Sequence, residues 1–135
     1  MNRFEELDHT ADVGIRAYGT TLDELFANAA AGMFSLITDL ETVTPVGEYA
    51  VKVAAKDLKS LLLDFLSELL YIHETQKVLL CEFDANVREF AVDARVRGER
   101  IDRDRHNLKL NVKAVTYHAM EIDPDKGVAQ VIFDI

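Results

Sequence analysis

The sequence predicts an α+β domain in which two main helices pack on antiparallel β-sheet. Three observations predict it. Residues 12–18, DVGIRAY, alternate apolar and polar side chains, as a strand with one buried face does. Two later stretches, about 22–38 and the run LKSLLLDFLSELLYIHE after Asp57, repeat apolar residues at helical spacing. After Gln76 the period returns to two. The order strand, helix, strand, helix, then several strands carries a twofold echo too faint to count as a repeat.

The elements follow in order. In the first strand Val13, Ile15 and Ala17 face one way and Asp12, Arg16 and Tyr18 the other. Gly19 and Thr20 turn the chain, and Thr21 stands three residues before Glu24, the spacing of a capping box. Leu22, Leu25, Phe26, Ala29, Met33 and Ile37 then form a helical stripe. Gly32 inside it costs about 1 kcal/mol relative to alanine, which close packing against a neighbour would explain. After a loop at Thr44-Pro45, Tyr49, Val51 and Val53 alternate as a short strand. Asp57 is positioned to cap the second helix. Its stripe of Leu58, Leu62, Phe65, Leu69 and Ile72 is widened by Leu61, Leu66 and Leu70. So wide an arc implies burial on more than one side, within the domain or against a second copy. Residues 90–97, 108–114 and 131–135 alternate as further strands. Between the first two, GERIDRDRHN (98–107) is dense in both charges and reads as a mobile loop, and DPDKG (123–127) reads as a turn.

Composition bounds the function. The 135 residues fit one domain, 1–135, and suffice for a core without metal or disulfide staples. The net charge of −9 argues against stable direct binding to a nucleic-acid backbone and favours a basic partner or a cation. The single cysteine, Cys81, excludes an internal disulfide and reads as a small buried residue. MNRFEELDHT has acids where a signal peptide has its apolar core, and the uncharged stretch between Glu24 and Asp39 is too short to span a bilayer. The expectation is a cytoplasmic protein without membrane contact.

Common catalytic templates are missing. There is no phosphate-binding glycine loop, no GxSxG, and HETQK lacks the second histidine of HExxH. Four histidines, at 9, 73, 106 and 118, are scattered. The carboxylates are more suggestive. Asp8 and Asp12 flank His9, Asp39 follows the first helix, and Asp134 stands beside Ile135. If first and last strands are neighbours, Asp12, Asp134 and the terminal carboxylate would meet, offering the oxygens that hard divalent cations prefer. The competing reading is solvated acids at strand ends. His9 is either a turn histidine bonded to backbone or a residue orienting Asp12. Strict alternation puts His118 on the face of Leu110 and Val112, partly buried unless a bulge turns it outward. Lys113 falls on the polar face, where it is an exposed lysine or, beside a phosphate or carboxylate, a clamp.

LDHTADVGIRAYGTTLDELFANAAAGMF, LLLDFLSELLYI, VKAVTYHAMEI and the closing VIFDI together resemble the archease family, in the same order over essentially the whole chain. The resemblance implies an SHS2-like α+β archease fold. It implies a non-enzymatic accessory protein that activates the GTP-dependent tRNA-splicing RNA ligase, promoting ligase guanylylation and multiple turnover. It also implies a divalent-metal site, seen with calcium in the family, whose ligands correspond to Asp12, Asp134 and Ile135. The lysine the family needs corresponds to Lys113. His9 and His118 match motif positions without a settled role. A chaperone-like or general protein-interaction module, and a small-molecule-binding module, are the alternatives. The first of these predicts exposed apolar surface and no dependence on the carboxylates.

Overall fold

A computed structural model describes residues 3–8 and 12–135. Seven strands and two α-helices follow the chain as β1 (Phe4–Asp8), β2 (Asp12–Tyr18), α1 (Leu22–Ile37), β3 (Gly47–Ala54), α2 (Leu58–Gln76), β4 (Val78–Arg88), β5 (Ala91–Arg100), β6 (Ala114–Asp123) and β7 (Val128–Asp134), with a 3₁₀ turn at Leu40–Thr42. The strands make two antiparallel sheets rather than one, ordered β1-β2-β7-β6 and β3-β5-β4. Each helix bears on both. α1 touches β1, β2 and β7 of the first sheet and β4 of the second, and α2 touches β6 of the first and β3, β4 and β5 of the second.

That arrangement explains the wide apolar arcs. Leu61, Leu62, Phe65, Leu66, Leu69 and Leu70 of α2 are all buried within the chain, so no second copy is needed to cover them. The tilted pair Phe26 and Phe65, ring centroids 5.7 Å apart, joins α1 to α2. A Cβ on Gly32 would stand 2.8 Å from Ile15 Cδ1 and 3.3 Å from Phe4 Cγ, so the expected close approach is that of α1 to the first sheet.

Both helix starts form as their sequences predict. Thr21 accepts from the Glu24 N–H at 3.1 Å, while Glu24 reaches back to the Thr20 N–H at 2.7 Å. Asp57 accepts from the Ser60 N–H at 2.8 Å. The turn before β7 sits where DPDKG places it.

Four expectations are corrected. The alternation at 108–114 does not build a strand. The segment lies along the end of α1, where the N–H groups of Lys109 and Leu110 donate to Ile37 and Leu36 carbonyls at 2.7 and 3.2 Å, and a lone bridge joins Leu108 to Thr38. Those donors satisfy carbonyls that a helix end leaves open, so the extended backbone is used up there and β6 begins only at Ala114.

The charged segment 98–107 is a loop only in part, with residues 102–105 and Asn107 exposed as expected. Gly98–Arg100 complete β5, and the rest is tied to the Glu99 carboxylate. Glu99 accepts from Arg105 Nη2 at 2.5 Å, the Thr44 N–H at 2.6 Å and His106 Nε2 at 3.0 Å. His106 is buried, and its Nδ1 accepts from the Asp102 N–H at 2.9 Å, which leaves the ring proton on Nε2, facing Glu99.

His118 is exposed rather than partly buried. The β6–β7 register slips between Thr116 and Glu121, and Ala119 takes a left-handed φ of 52°, so a bulge turns His118 off the apolar face. Cys81, expected to be buried, is half-buried. It is the extra residue where the β4–β5 register shifts between Leu80 and Glu82. Burial, with Glu82 and Glu99 nearby, pushes its thiol pKa up, away from reactivity.

Candidate carboxylate site

The two aspartates singled out in the sequence are cross-strand partners. β2 and β7 pair antiparallel with Asp12 opposite Asp134 and Val13 opposite Phe133. Val13 and Phe133 are buried, so by the period of two Asp12 and Asp134 share the outer face of the first sheet. Asp12 is half-buried and Asp134 exposed. Directly opposed like charges in a sheet are destabilising unless something of opposite sign intervenes. Arg16 lies further along the same face. Its guanidinium donates to Glu5 at 3.1 Å and to Gln130 at 2.7 Å.

Ile135 follows directly after β7 and is 42% exposed. Lys113 stands one residue before β6, the strand on the other side of β7. Its N–H donates to the Asp134 carbonyl at 2.8 Å, and Ala114 is the register partner of Asp134. Asp12, Asp134, Ile135 and the Lys113 backbone therefore meet at one end of the first sheet. His118 is not brought to them, since the bulge carries it away from the register that holds Asp134. Asp39 pairs with Lys109 at 3.4 Å. His9 lies outside the described residues.

Hard carboxylate oxygens of this kind suit a divalent cation of the calcium or magnesium type, which takes six or more oxygens and accepts main-chain groups and water alongside side chains. Among the described residues no three His, Cys, Asp or Glu side chains cluster closely enough to hold a metal by themselves. The two aspartates offer side-chain oxygens, and the main chain of Ile135 is the next group along β7.

Sequence reasoning missed the Glu99–His106 hub, because GERIDRDRHN carries no periodicity and its charges read as solvated. The hydrogen bond from Tyr117 to the Ser60 hydroxyl, 3.2 Å, was likewise invisible, since it depends on the bulge in β6. No helix among the described residues is long and apolar enough to cross a membrane.

Comparison with known proteins agrees over the full length. Residues 4–135 match the model of the Archease protein family (MTH1598/TM1083). A protein archease of Pyrococcus furiosus is 37% identical over 142 residues, covering 100% of both chains. One of Methanosarcina mazei is 40% identical over 140 residues, 98% of this chain and 96% of that one. The solution structure of Methanobacterium thermoautotrophicum protein 1598 has a TM-score of 0.85 at 38% identity, covering 100% of both chains. A crystal structure from Thermotoga maritima, described as an archease and possible chaperone, superposes with a TM-score of 0.64 over 96% of this chain and 94% of that one. At 17% identity it speaks for the fold alone.

Proposed function

The chain belongs to the archease family, and from that premise we propose that it is a non-enzymatic activator of a GTP-dependent tRNA-splicing RNA ligase, working through a divalent-metal site of Asp12, Asp134 and Ile135. The observation that carries this reading is the register of β2 on β7, which sets Asp12 opposite Asp134. Each aspartate contributes a side-chain carboxylate, and Ile135 contributes a main-chain oxygen. A bound ion would supply charge neutralisation and Lewis acidity toward phosphoryl oxygens.

The rest falls to this chain's own residues. Asp12 and Asp134 fix oxygens on strands rather than loops, so their separation is set by the sheet. The Lys113 N–H pins the Asp134 carbonyl, holding the last residues of β7 in place. The Lys113 ammonium is free to meet a phosphate or an acidic group of the ligase. Guanylylation of a ligase histidine is a nucleotidyl transfer, and such transfers depend on alignment and charge neutralisation. An acidic accessory protein can provide both by presenting carboxylates to a metal-rich site. Its net charge of −9 makes tight grip on RNA the less natural route.

The test is ligase guanylylation and multiple-turnover RNA joining with Asp12→Ala and Asp134→Ala. Both variants should lose stimulation while circular dichroism shows the wild-type fold. Full stimulation by both folded variants would end the proposal. The competing reading, a chaperone-like or general interaction modulator, calls for a contiguous exposed apolar surface. Among the described residues the large exposed apolar side chains are Val46, Tyr71, Phe90, Tyr117 and Ile135, from a loop, α2, the β4–β5 turn, β6 and the residue after β7.

A further inference from the structure

Apart from the carboxylate pair, the residues that folding explains least are three cations around one cleft. The cleft has a volume of about 410 Å³ and lies between the C-terminal end of α2, the 101–107 loop and the extended 108–111 segment. Lys77, Arg103 and Lys109 line it with His73 and Asn111, and Glu74 is the one carboxylate among the described residues of its wall. In a chain of net charge −9, a surplus of positive charge in one recess needs a reason.

Each cation comes from backbone that is held in place. Lys77 occupies the left-handed position that ends α2, with φ 56° and ψ 48°. Glycine is the unstrained residue there, so a lysine is retained against a conformational cost. Arg103 belongs to the loop fastened through Glu99, Arg105 and His106. Lys109 belongs to the segment bonded to the end of α1. The negative end of the α2 dipole accounts for one nearby lysine. It does not account for Arg103 and Lys109, which arrive from elsewhere in the chain. Lys109 is paired with Asp39 at 3.4 Å, whereas among the described residues Lys77 and Arg103 have no carboxylate partner. A guanidinium fork, an ammonium and an amide around a recess of this size match the way proteins hold phosphate groups.

We propose that this cleft binds a phosphate-bearing ligand of nucleotide size, held chiefly by Lys77 and Arg103. The site does not depend on the reading of Asp12 and Asp134. It lies beside that region, since Glu74 also lines the neighbouring recess that contains Lys113. The ligand is either a free mononucleotide or the phosphorylated end of an RNA strand, which share the recognised chemistry.

Backbone-amide NMR titration of the full chain tests it, using inorganic phosphate, guanosine monophosphate, a trinucleotide RNA with a 3′-phosphate, and a polyglutamate peptide. The expected result is saturable shifts centred on Lys77, Arg103 and Lys109, weakening as salt rises. Lys77→Gly and Arg103→Gln should each bind about tenfold more weakly, and Asp12→Ala should bind like the wild type. Lys77→Gly relieves the left-handed backbone, so its loss of binding would not be a loss of fold. Tighter binding of the mononucleotide than of the RNA identifies a free nucleotide as the ligand, and the reverse identifies an RNA end. The proposal is overturned if no phosphate probe gives a saturable shift, or if both variants bind like the wild type. It is overturned equally if polyglutamate binds as tightly as the phosphate probes, which would mark an acidic-peptide site.

Discussion

Glu99 shows how one side chain can organise two distant segments. Hydrogen bonding from Arg105, with further bonds from the Thr44 N–H and His106, holds its carboxyl down at about 2 against the opposing effect of burial, from an ordinary value of 4.5. A carboxylate whose pKa is depressed by folding adds stability above its unfolded value, and that stability is lost as pH falls through the folded value. Unfolding free energy should therefore decline between about pH 4.5 and about pH 2, and Glu99→Gln should flatten that decline in denaturant melts. An unchanged acid limb in Glu99→Gln would remove Glu99 from the account. At neutral pH, Glu99→Ala strands the buried His106 Nε2–H and should cost about 2 kcal/mol. Asp134 makes the opposite kind of prediction. Without divalent cations, Asp134→Asn, at an exposed position, should change stability by less than about 0.5 kcal/mol. With calcium well above its dissociation constant, the wild type should gain stability that the variant does not. Thermal melts with calcium and with chelator separate the two cases, and equal calcium shifts in both proteins would count against the metal site.

Among the elements, those legible in the sequence were those whose neighbours leave their period undisturbed. α1 and α2 bury broad arcs between two sheets, and their caps at Thr21 and Asp57 are local chemistry. β2 alternates because Val13, Ile15 and Ala17 bury one face, whereas β7 was legible despite Ile132, which is buried on the face opposite Val131 and Phe133. β1 escaped notice because FEELD offers two apolar residues, Phe4 and Leu7, in opposite phases. β4 escaped because it opens on a continuous buried run, Val78–Leu80, and then changes phase at Cys81. At that same bulge Gly98 faces the Leu79 backbone. A Cβ there would sit 1.8 Å from the Leu79 carbonyl oxygen, and backbone cannot move aside as a side-chain tip can. Gly98→Ala should cost about 3 kcal/mol or more, measurable by chemical denaturation. A loss under 1 kcal/mol would mean that the bulge can be ironed out. The alternation at 108–114 misled for a related reason. Period two reports extended backbone, but not whether the partner is a strand or, as at Leu36 and Ile37, the end of a helix.

On the scale of the molecule, the candidate carboxylate site depends on one topological fact, that β7 lies between β2 and β6. The residues at its far end therefore occupy the interior of a sheet rather than a fraying edge. Amide hydrogen exchange should be slowest in β2 and β7 and faster in the edge strand β1, and β7 amides that exchanged as fast as those of β1 would contradict the strand order. Sequence could nominate Asp12 and Asp134 but not the strand order that joins them, since pairing between strands more than a hundred residues apart leaves no local signature. The same placement has a consequence for synthesis. A ribosome makes β7 after the other three strands of the first sheet, so β2, already able to pair with β1, and β6 lack the neighbour they share until β7 emerges. Closure of the first sheet, and with it the placing of Asp134 opposite Asp12, therefore waits on the synthesis of β7.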